Sequence, residues 1–347
     1  MTKIALLADT HFGASKHSKQ VHDYMSKSLA FMFDYLDINN IKTIIQLGDL
    51  FDVRKHVQFE TIKWAQENFF TPIKDNDISL YVIAGNHDIL YTNSSHINSV
   101  SLLCPDDTFV TDLEPETIII NGEKIDLFPW INANNIDASL KFLEESTSRY
   151  AVGHFEFEGF SLMPGTIAEK GMNHRLFSRY DRVYSGHFHT QSVRDRVLYT
   201  NILFQLSWSD WNDAKGFWIL DTETGAEEYI LNPHTLFEKI SYVEGMEYDF
   251  ANARDKYVKI IIVENPNQKK FDAFLANVNL NKPHDVKVLE ASIVEAVAEA
   301  VGLTELVSTG EMISSVIDNM ELDLDKIRLK SYVTELYAEA MALNNAL

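Results

Sequence analysis

The sequence predicts an α/β (α+β) protein: two facing mixed β-sheets flanked by helices, then a smaller α/β unit, then a helical C-terminal segment. Three observations lead there. Over roughly the first 85 residues, short apolar, β-branched runs alternate with stretches of helical spacing, the rhythm of parallel strands joined by right-handed crossovers. From about residue 117 the alternation gives way to closely spaced strands and turn signals. Near Asn232-Pro233 the polar clusters that end the earlier strands cease, which places a domain boundary there.

In chain order, residues 4–8 read as a buried strand, and residues 21–36 carry Met25, Leu29, Phe33 and Leu36 at helical spacing. Residues 43–47 form a second strand, residues 58–70 a second helix that Pro72 helps to end, and residues 80–84 a third strand. A helical piece at 97–103 precedes a hairpin, 117–121 and 124–128, because Asn121-Gly122 suits a type I′ turn. Residues 150–153, 183–185 and 197–200 are short strands, and 217–221 with 227–231 is a hairpin about Thr224-Gly225. Beyond residue 232, residues 257–263, 270–278 and 285–289 read as strand, helix and strand. Residues 291–347 are predicted helical: Leu329, Tyr332, Val333, Leu336, Tyr337, Ala340 and Met341 fall on one stripe, which suits packing on its own domain and docking on a partner equally. The expected domains are 1–232, 233–290 and 291–347.

With 347 residues, 46% of them hydrophobic, the chain can bury a sizeable core. The net charge of −21 argues against broad, nonspecific attraction to nucleic acid or anionic membranes without excluding either locally. Part of it lies at the end, where three basic against ten acidic residues give 3 − 10 = −7 over residues 291–347. The single cysteine, Cys104, cannot form an intrachain disulfide or a zinc knuckle. No apolar signal core or run of 18 apolar residues is present, so cytoplasmic residence is expected.

Five polar clusters each follow an apolar run: Asp9-Thr10-His11, Gly48-Asp49-Leu50-Phe51-Asp52, Gly85-Asn86-His87-Asp88, Gly153-His154 and Gly186-His187-Phe188-His189. In open α/β sheets ligands gather at the carboxyl ends of strands, so five such ends finishing in Asp, Asn or His point to one site. Mixed oxygen and nitrogen donors suit manganese, iron or zinc, and Asp49 is the natural bridge between two ions. Two ions about 3.5–4 Å apart clamp an attacking oxygen and neutralise a phosphoryl centre as charge builds on it.

In this order, Asp-x-His, Gly-Asp-x-x-Asp, Gly-Asn-His-Asp, Gly-His and Gly-His-x-His resemble the motif set of the calcineurin-like metallophosphoesterases, spanning residues 9–189. Within that superfamily the chain is similar to the SbcD-type, or meiotic recombination eleven, DNA nucleases, and above all to recombination nuclease subunits of T-even-like tailed phages. The resemblance implies a metallophosphoesterase sandwich with a capping, DNA-contacting domain at 233–290. It implies Asp9, His11, Asp49 and His189 on one metal and Asp49, Asn86, His154 and His187 on the other. His87 would act as an acid or donor to the leaving oxygen, with Asp88 orienting its ring. It further implies two divalent ions, Mn2+ with Mg2+ as the alternative, 3′-5′ exonuclease action on duplex DNA, endonuclease action on single strands, and a homodimer. An SMC-like ATPase of the SbcC type would be the partner, met by Leu329, Val333, Leu336, Tyr337 and Ala340.

Some cellular members carry histidine three residues after the bridging aspartate; Asp52 stands here, and reads as a group that orients its neighbours. Taken singly, Asp9 or His154 would be an ordinary capping or hydrogen-bonded residue, and Asn86-His87 a turn. Arg54, Lys55, Arg175, Arg179, Arg194 and Arg196 could contact phosphate, although each alone reads as a solvated charge. Trp208 and Trp211 could stack on a base or simply pack. Two other readings compete. A phosphoprotein phosphatase or small phosphodiesterase would keep the metals, but a serine/threonine phosphatase would show Asp-Arg-Gly where Asp52-Val53-Arg54 stands. A noncatalytic adaptor would have lost a ligand, and none is lost.

Overall fold

Ile4, Ala5, Leu6 and Leu7 are wholly buried, as a strand with apolar side chains on both faces requires. In the computed structural model, which describes residues 2–163, 166–264 and 266–290, Lys3–Leu7 lies inside a six-stranded sheet. The order is Glu227–Leu231, Gly216–Asp221, Lys3–Leu7, Thr43–Gln46, Ser79–Ile83 and Phe109–Thr111, with the last four parallel. A second six-stranded sheet runs Ser192–Arg194, Val197–Tyr199, Arg182–Ser185, Tyr150–Gly153, Glu123–Phe128 and Glu116–Ile120. Its four middle strands are parallel.

The sheets face one another across a core in which Ile4, Leu6, Ile45, Leu47 and Ile83 of the first meet Ile118, Ile125, Leu127, Val152, Tyr184 and Leu198 of the second. The other face of the second sheet carries Phe128, Ala151, Val183 and Tyr199 into an aromatic layer with Phe155, Phe157, Phe177 and Tyr180. Helix Lys19–Ile38 buries Val21, Met25, Leu29, Met32 and Leu36, one stripe of a 3.6-residue period. The fold is therefore two facing mixed sheets flanked by helices, and the polar clusters gather at the carboxyl ends of its parallel strands.

Several local features differ from the sequence reading, and edge strands Phe109–Thr111 and Ser192–Arg194 were not expected. Pro72 does not end its helix. Phe59–Ala65, a π-helical turn at Gln66–Phe70 and Thr71–Asp75 run on continuously. The wide turn lies just ahead of the residue whose missing N–H interrupts the ladder. Residues 94–98 form a strand, Ser94–Asn98, and the helix begins only at Ser99, where the Asn98 side chain accepts from Ser101 N–H at 2.8 Å. Helix Ile136–Glu145 and strand Phe237–Tyr242 were not expected. Their apolar residues are interleaved with charge, as in Phe237-Glu238-Lys239-Ile240, and gain meaning only from the surfaces that cover them.

The described residues fall into two compact units that divide between Leu236 and Phe237. The first continues past residue 232 because Asn232 Nδ2 donates to Ser28 Oγ (2.9 Å) and the Leu203 carbonyl (2.8 Å), and Leu236 N–H to Gln205 Oε1 (2.8 Å). In the second, parallel strands Phe237–Tyr242, Tyr257–Ile262 and Asp285–Glu290 pack Ile240, Tyr242, Val258 and Ile260 against Phe271, Phe274 and Val278 of helix Gln268–Leu280. The helical reading of 291–347 and its residues Leu329, Val333, Leu336, Tyr337 and Ala340 lie outside the described residues. Among the described residues no helix is long and apolar enough to cross a membrane.

Candidate metal centre

Each motif residue sits in the turn that follows a parallel strand, and several do so at a local conformational cost. Asp9 (φ 45°), His11 (φ 43°), Asp49 (φ 53°) and His187 (φ 84°) adopt the left-handed region that side chains with a Cβ disfavour, a form of strain that collects at functional sites. Backbone bonds hold the turns there: Asp9 N–H donates to Gly48 O (3.2 Å), His11 N–H to Asp49 O (3.0 Å) and Phe12 N–H to Leu50 O (2.9 Å). The motif glycines admit these close approaches. A Cβ on Gly85 would lie 2.2 Å from Asp49 N, and one on Gly186 2.6 Å from Leu47 O and 2.8 Å from Asp9 Oδ2.

The side chains then converge as two donor groups. Asp9, His11 and His189 form one: His11 Nε2 lies 3.1 Å from His189 Nε2, which is 3.8 Å from Asp9 Oδ1. Asp49, His154 and His187 form the other, with Asn86 beside it: His154 Nε2 lies 2.9 Å from Asn86 Oδ1 and 3.4 Å from Asp49 Oδ2. Asp49 Oδ2 also lies 3.7 Å from His11 Nε2, so one carboxylate oxygen faces both groups. The other oxygen, Oδ1, accepts from His87 N–H at 2.7 Å, and both Asp9 oxygens accept from His187 N–H at 2.9 and 3.0 Å.

Tautomers follow from the outer partners. His154 Nδ1 lies 2.8 Å from the Leu47 carbonyl and His11 Nδ1 3.1 Å from Asp52 Oδ1, oxygens that can only accept. His11 Nδ1 meets the Asp52 carboxylate as a close ion-pair contact rather than an aligned hydrogen bond. In the neutral His154 ring the proton is therefore on Nδ1, and its Nε2 lone pair points inward at the Asn86 and Asp49 oxygens. Such an arrangement repels itself unless protons or cations stand among the donors. Protons are drawn in strongly. Burial opposes charge on His154, yet Asp49 and Asp9 outweigh it and raise the ring to about 9. His11 is raised to about 9 by Asp52, Asp49 and Asp9 against the same burial. Burial pushes Asp9 up to about 7, with His154 pulling it down and Asp49 pushing it further up. Asp49 is held well below the ordinary carboxylate range, since His154, His87 and His11 overcome its burial. Burial and the neighbouring His154 lower His187 to about 3; burial, His11 and Lys215 depress His189. A buried, carboxylate-poor set of inward nitrogens and oxygens is one that divalent cations fit.

Asp88 does not orient the His87 ring. Its buried carboxylate accepts from the N–H groups of Leu50 (3.2 Å), Phe51 (3.1 Å) and Gly85 (2.8 Å) and from Ser99 Oγ (3.2 Å), clamping two motif turns together. A carboxylate saturated by donors on the backbone has no lone pair left for a ring. His87 Nδ1 instead lies 2.5 Å from the Asp52 carbonyl oxygen. Asp52 thus meets two histidines, His11 with its carboxylate and His87 with its backbone.

Sequence reasoning passed over two contributors. Trp130 packs on His187 and His154, with ring centroids 5.0 and 5.9 Å apart. Lys215 is buried, with Nζ 2.7 Å from the His189 carbonyl oxygen. Neither stands in a motif, and a lysine ahead of a strand reads as solvated. Of the basic residues considered for phosphate, Arg179 donates to the Leu143 carbonyl and Arg196 to that of Asp181. Arg175 and Arg194 line a cavity with His174, Glu158 and Glu169. Arg54 and Lys55 line a cavity of about 240 Å3 that includes Asp88, beside the His87 turn. Trp208 and Trp211 are half-buried.

A family model, calcineurin-like phosphoesterase, matches residues 2–191. Exonuclease subunit 1 of Enterobacteria phage T4 is 32% identical over 340 residues, covering 97% of this chain and 99% of that one. Among solved structures, a dimetal phosphatase from Danio rerio aligns with a TM-score of 0.44 at 11% identity, over 66% of this chain and 98% of its own. A hypothetical protein from Thermus thermophilus aligns with a TM-score of 0.39 at 12% identity, over 67% of this chain and 100% of its own.

Proposed function

Because the chain belongs to the calcineurin-like phosphoesterase family, whose members use divalent metals, we propose that it is a manganese-dependent DNA nuclease. In this reading it is the nuclease subunit of a recombination and repair complex, acting as a 3′-5′ exonuclease on duplex DNA and an endonuclease on single strands. The observation that carries the reading is the single Asp49 oxygen facing both donor groups, in a chain 32% identical to a phage exonuclease subunit along nearly its whole length. Asp9, His11, Asp49 and His189 would hold one ion, and Asp49, Asn86, His154 and His187 the other. Bound there, the ions supply Lewis acidity toward the phosphoryl oxygens of the scissile diester.

The chain's own residues do the rest. His87 has Nδ1 committed to the Asp52 carbonyl, so the proton it delivers to the leaving 3′ or 5′ oxygen leaves from Nε2. Asp49 Oδ1, by accepting the His87 N–H, ties the position of that acid to the carboxylate shared by both donor groups. Asp88 holds the turns at 48–51 and 85–88 at fixed separation. Arg54 and Lys55, beside the His87 turn, offer positive charge to an entering diester in an otherwise acidic protein.

Purified protein incubated with labelled duplex DNA, single-stranded DNA and a phosphopeptide, each with Mn2+, Mg2+ or chelator, tests the substrate class. DNA cleavage that needs Mn2+ and stops with chelator is expected, and His87→Ala should abolish it while leaving metal content intact. Release of phosphate from the peptide with intact DNA would reject the nuclease reading. The partner is proposed to be an SMC-like ATPase of the SbcC type, bound through residues 329–340 of one chain in a homodimer. Deleting residues 320–347 should reduce ATPase pull-down and spare cleavage of short DNA; undiminished pull-down would reject that assignment.

A further inference from the structure

Lys215 is 3% exposed, and its ammonium is surrounded by oxygen: the His189 carbonyl at 2.7 Å, Asp210 Oδ1 at 2.7 Å, Asp213 Oδ2 at 2.9 Å and Asn201 Oδ1 at 3.1 Å. An ammonium has three protons, so this shell already saturates it. A lysine so enclosed is costly to bury, and two carboxylates would suffice to pair it. The shortest contacts nevertheless include a main-chain oxygen of His189, whose ring enters the donor group of Asp9 and His11.

We infer that Lys215 is a positioning residue for the His189 half of the centre: its ammonium fixes the His189 backbone and so aims the His189 ring at Asp9 and His11. The arrangement is braced from behind. Asp210 accepts from Leu206 N–H (2.9 Å) and Ser207 N–H (2.8 Å) as well as from Lys215. Asn201, in the left-handed region at φ 65°, donates to the Ala214 carbonyl (3.0 Å) while its oxygen faces Lys215. The ammonium therefore cannot follow His189 if the turn shifts; the turn must stay with the ammonium. No comparable brace is needed at His154, whose Nδ1 meets a strand-end carbonyl directly. Removing Lys215 should then loosen one ion site and leave the other alone.

This inference rests on the two-ion reading of the centre, and its test separates the two. Mn2+ binding to the full-length protein is followed by electron paramagnetic resonance and calorimetry, with melting temperature recorded alongside. Wild-type protein should take up two ions. Lys215→Met should weaken one of them about 10- to 100-fold, the usual effect of losing an outer support, and leave the other unchanged. Since that substitution strands the buried Asp210 carboxylate and the half-buried one of Asp213, the triple variant K215M/D210N/D213N, in which no charge is stranded, carries the same test if the single variant does not fold. Two ions bound with wild-type affinities in a folded variant would overturn the inference. So would equal weakening of both in step with the melting temperature, the mark of a merely structural lysine. Fewer than two ions on the wild type would instead overturn the two-ion reading itself.

Discussion

His154 is fully buried and its Nδ1 faces the Leu47 carbonyl at a strand end, whereas His189 leaves 33% of its side chain exposed and takes its support from an ammonium on its own carbonyl. The same contrast runs through their companions. On the His154 side, Trp130 closes over the imidazoles and the orienting oxygen is the main-chain carbonyl of Leu47, the residue after strand Thr43–Gln46. On the His189 side, His11 is oriented by Asp52, a carboxylate itself 33% exposed. One half of the centre is therefore anchored by main chain directly after a buried strand, the other by side chains that a single substitution removes. That difference teaches where the proposed site would be tunable: with two ions bound as proposed, affinity should change on the His11 and His189 side with the sandwich intact.

The largest effect is expected at the residue common to both halves. Asp49→Ala should eliminate binding of both ions in a Mn2+ titration and bring DNA cleavage to background, because its carboxylate faces both groups; retention of one tight ion would show that the halves are independent. Next comes the backbone anchor. Gly85→Ala would set a methyl 2.2 Å from Asp49 N, and overpacking of this kind costs about 1–3 kcal/mol, so a lowered melting temperature with impaired binding of both ions is expected. The smallest effect should come from the side-chain brace. Asp52→Asn retains the carbonyl that meets His87 and weakens only the hold on His11, so about a 10-fold loss of affinity at one ion, with the other unchanged, would sharpen the comparison. Equal loss at both would break it.

Much of this was legible in the chain because strand periodicity and strand-end chemistry are local. Ile4 to Leu7, Ile44 and Ile45, and Val82 and Ile83 declare themselves as two-sided buried strands, and the residue types that follow each declare a ligand turn. The role of Asp88 was not legible. Asn-His-Asp written in a row suggests that neighbours in sequence serve one another, yet the carboxylate is consumed by N–H groups of Leu50 and Phe51 that only the packed turns bring near. The π-helical turn before Pro72 depends likewise on burial of Phe69 and Phe70, which holds the helix together across a missing hydrogen bond.

What the sequence by itself determined is the set of donors and the strand ends that carry them, since both are written in residue type and short-range spacing. Only the tertiary structure decided which oxygen faces both donor groups, which nitrogen of His154 looks inward, and that Lys215 is buried against His189. Those properties depend on distances between segments as far apart as Asp9 and His187 or His189 and Lys215, and a hydrogen bond or a desolvated charge exists only once the intervening chain has folded to bring its partner within about 3 Å.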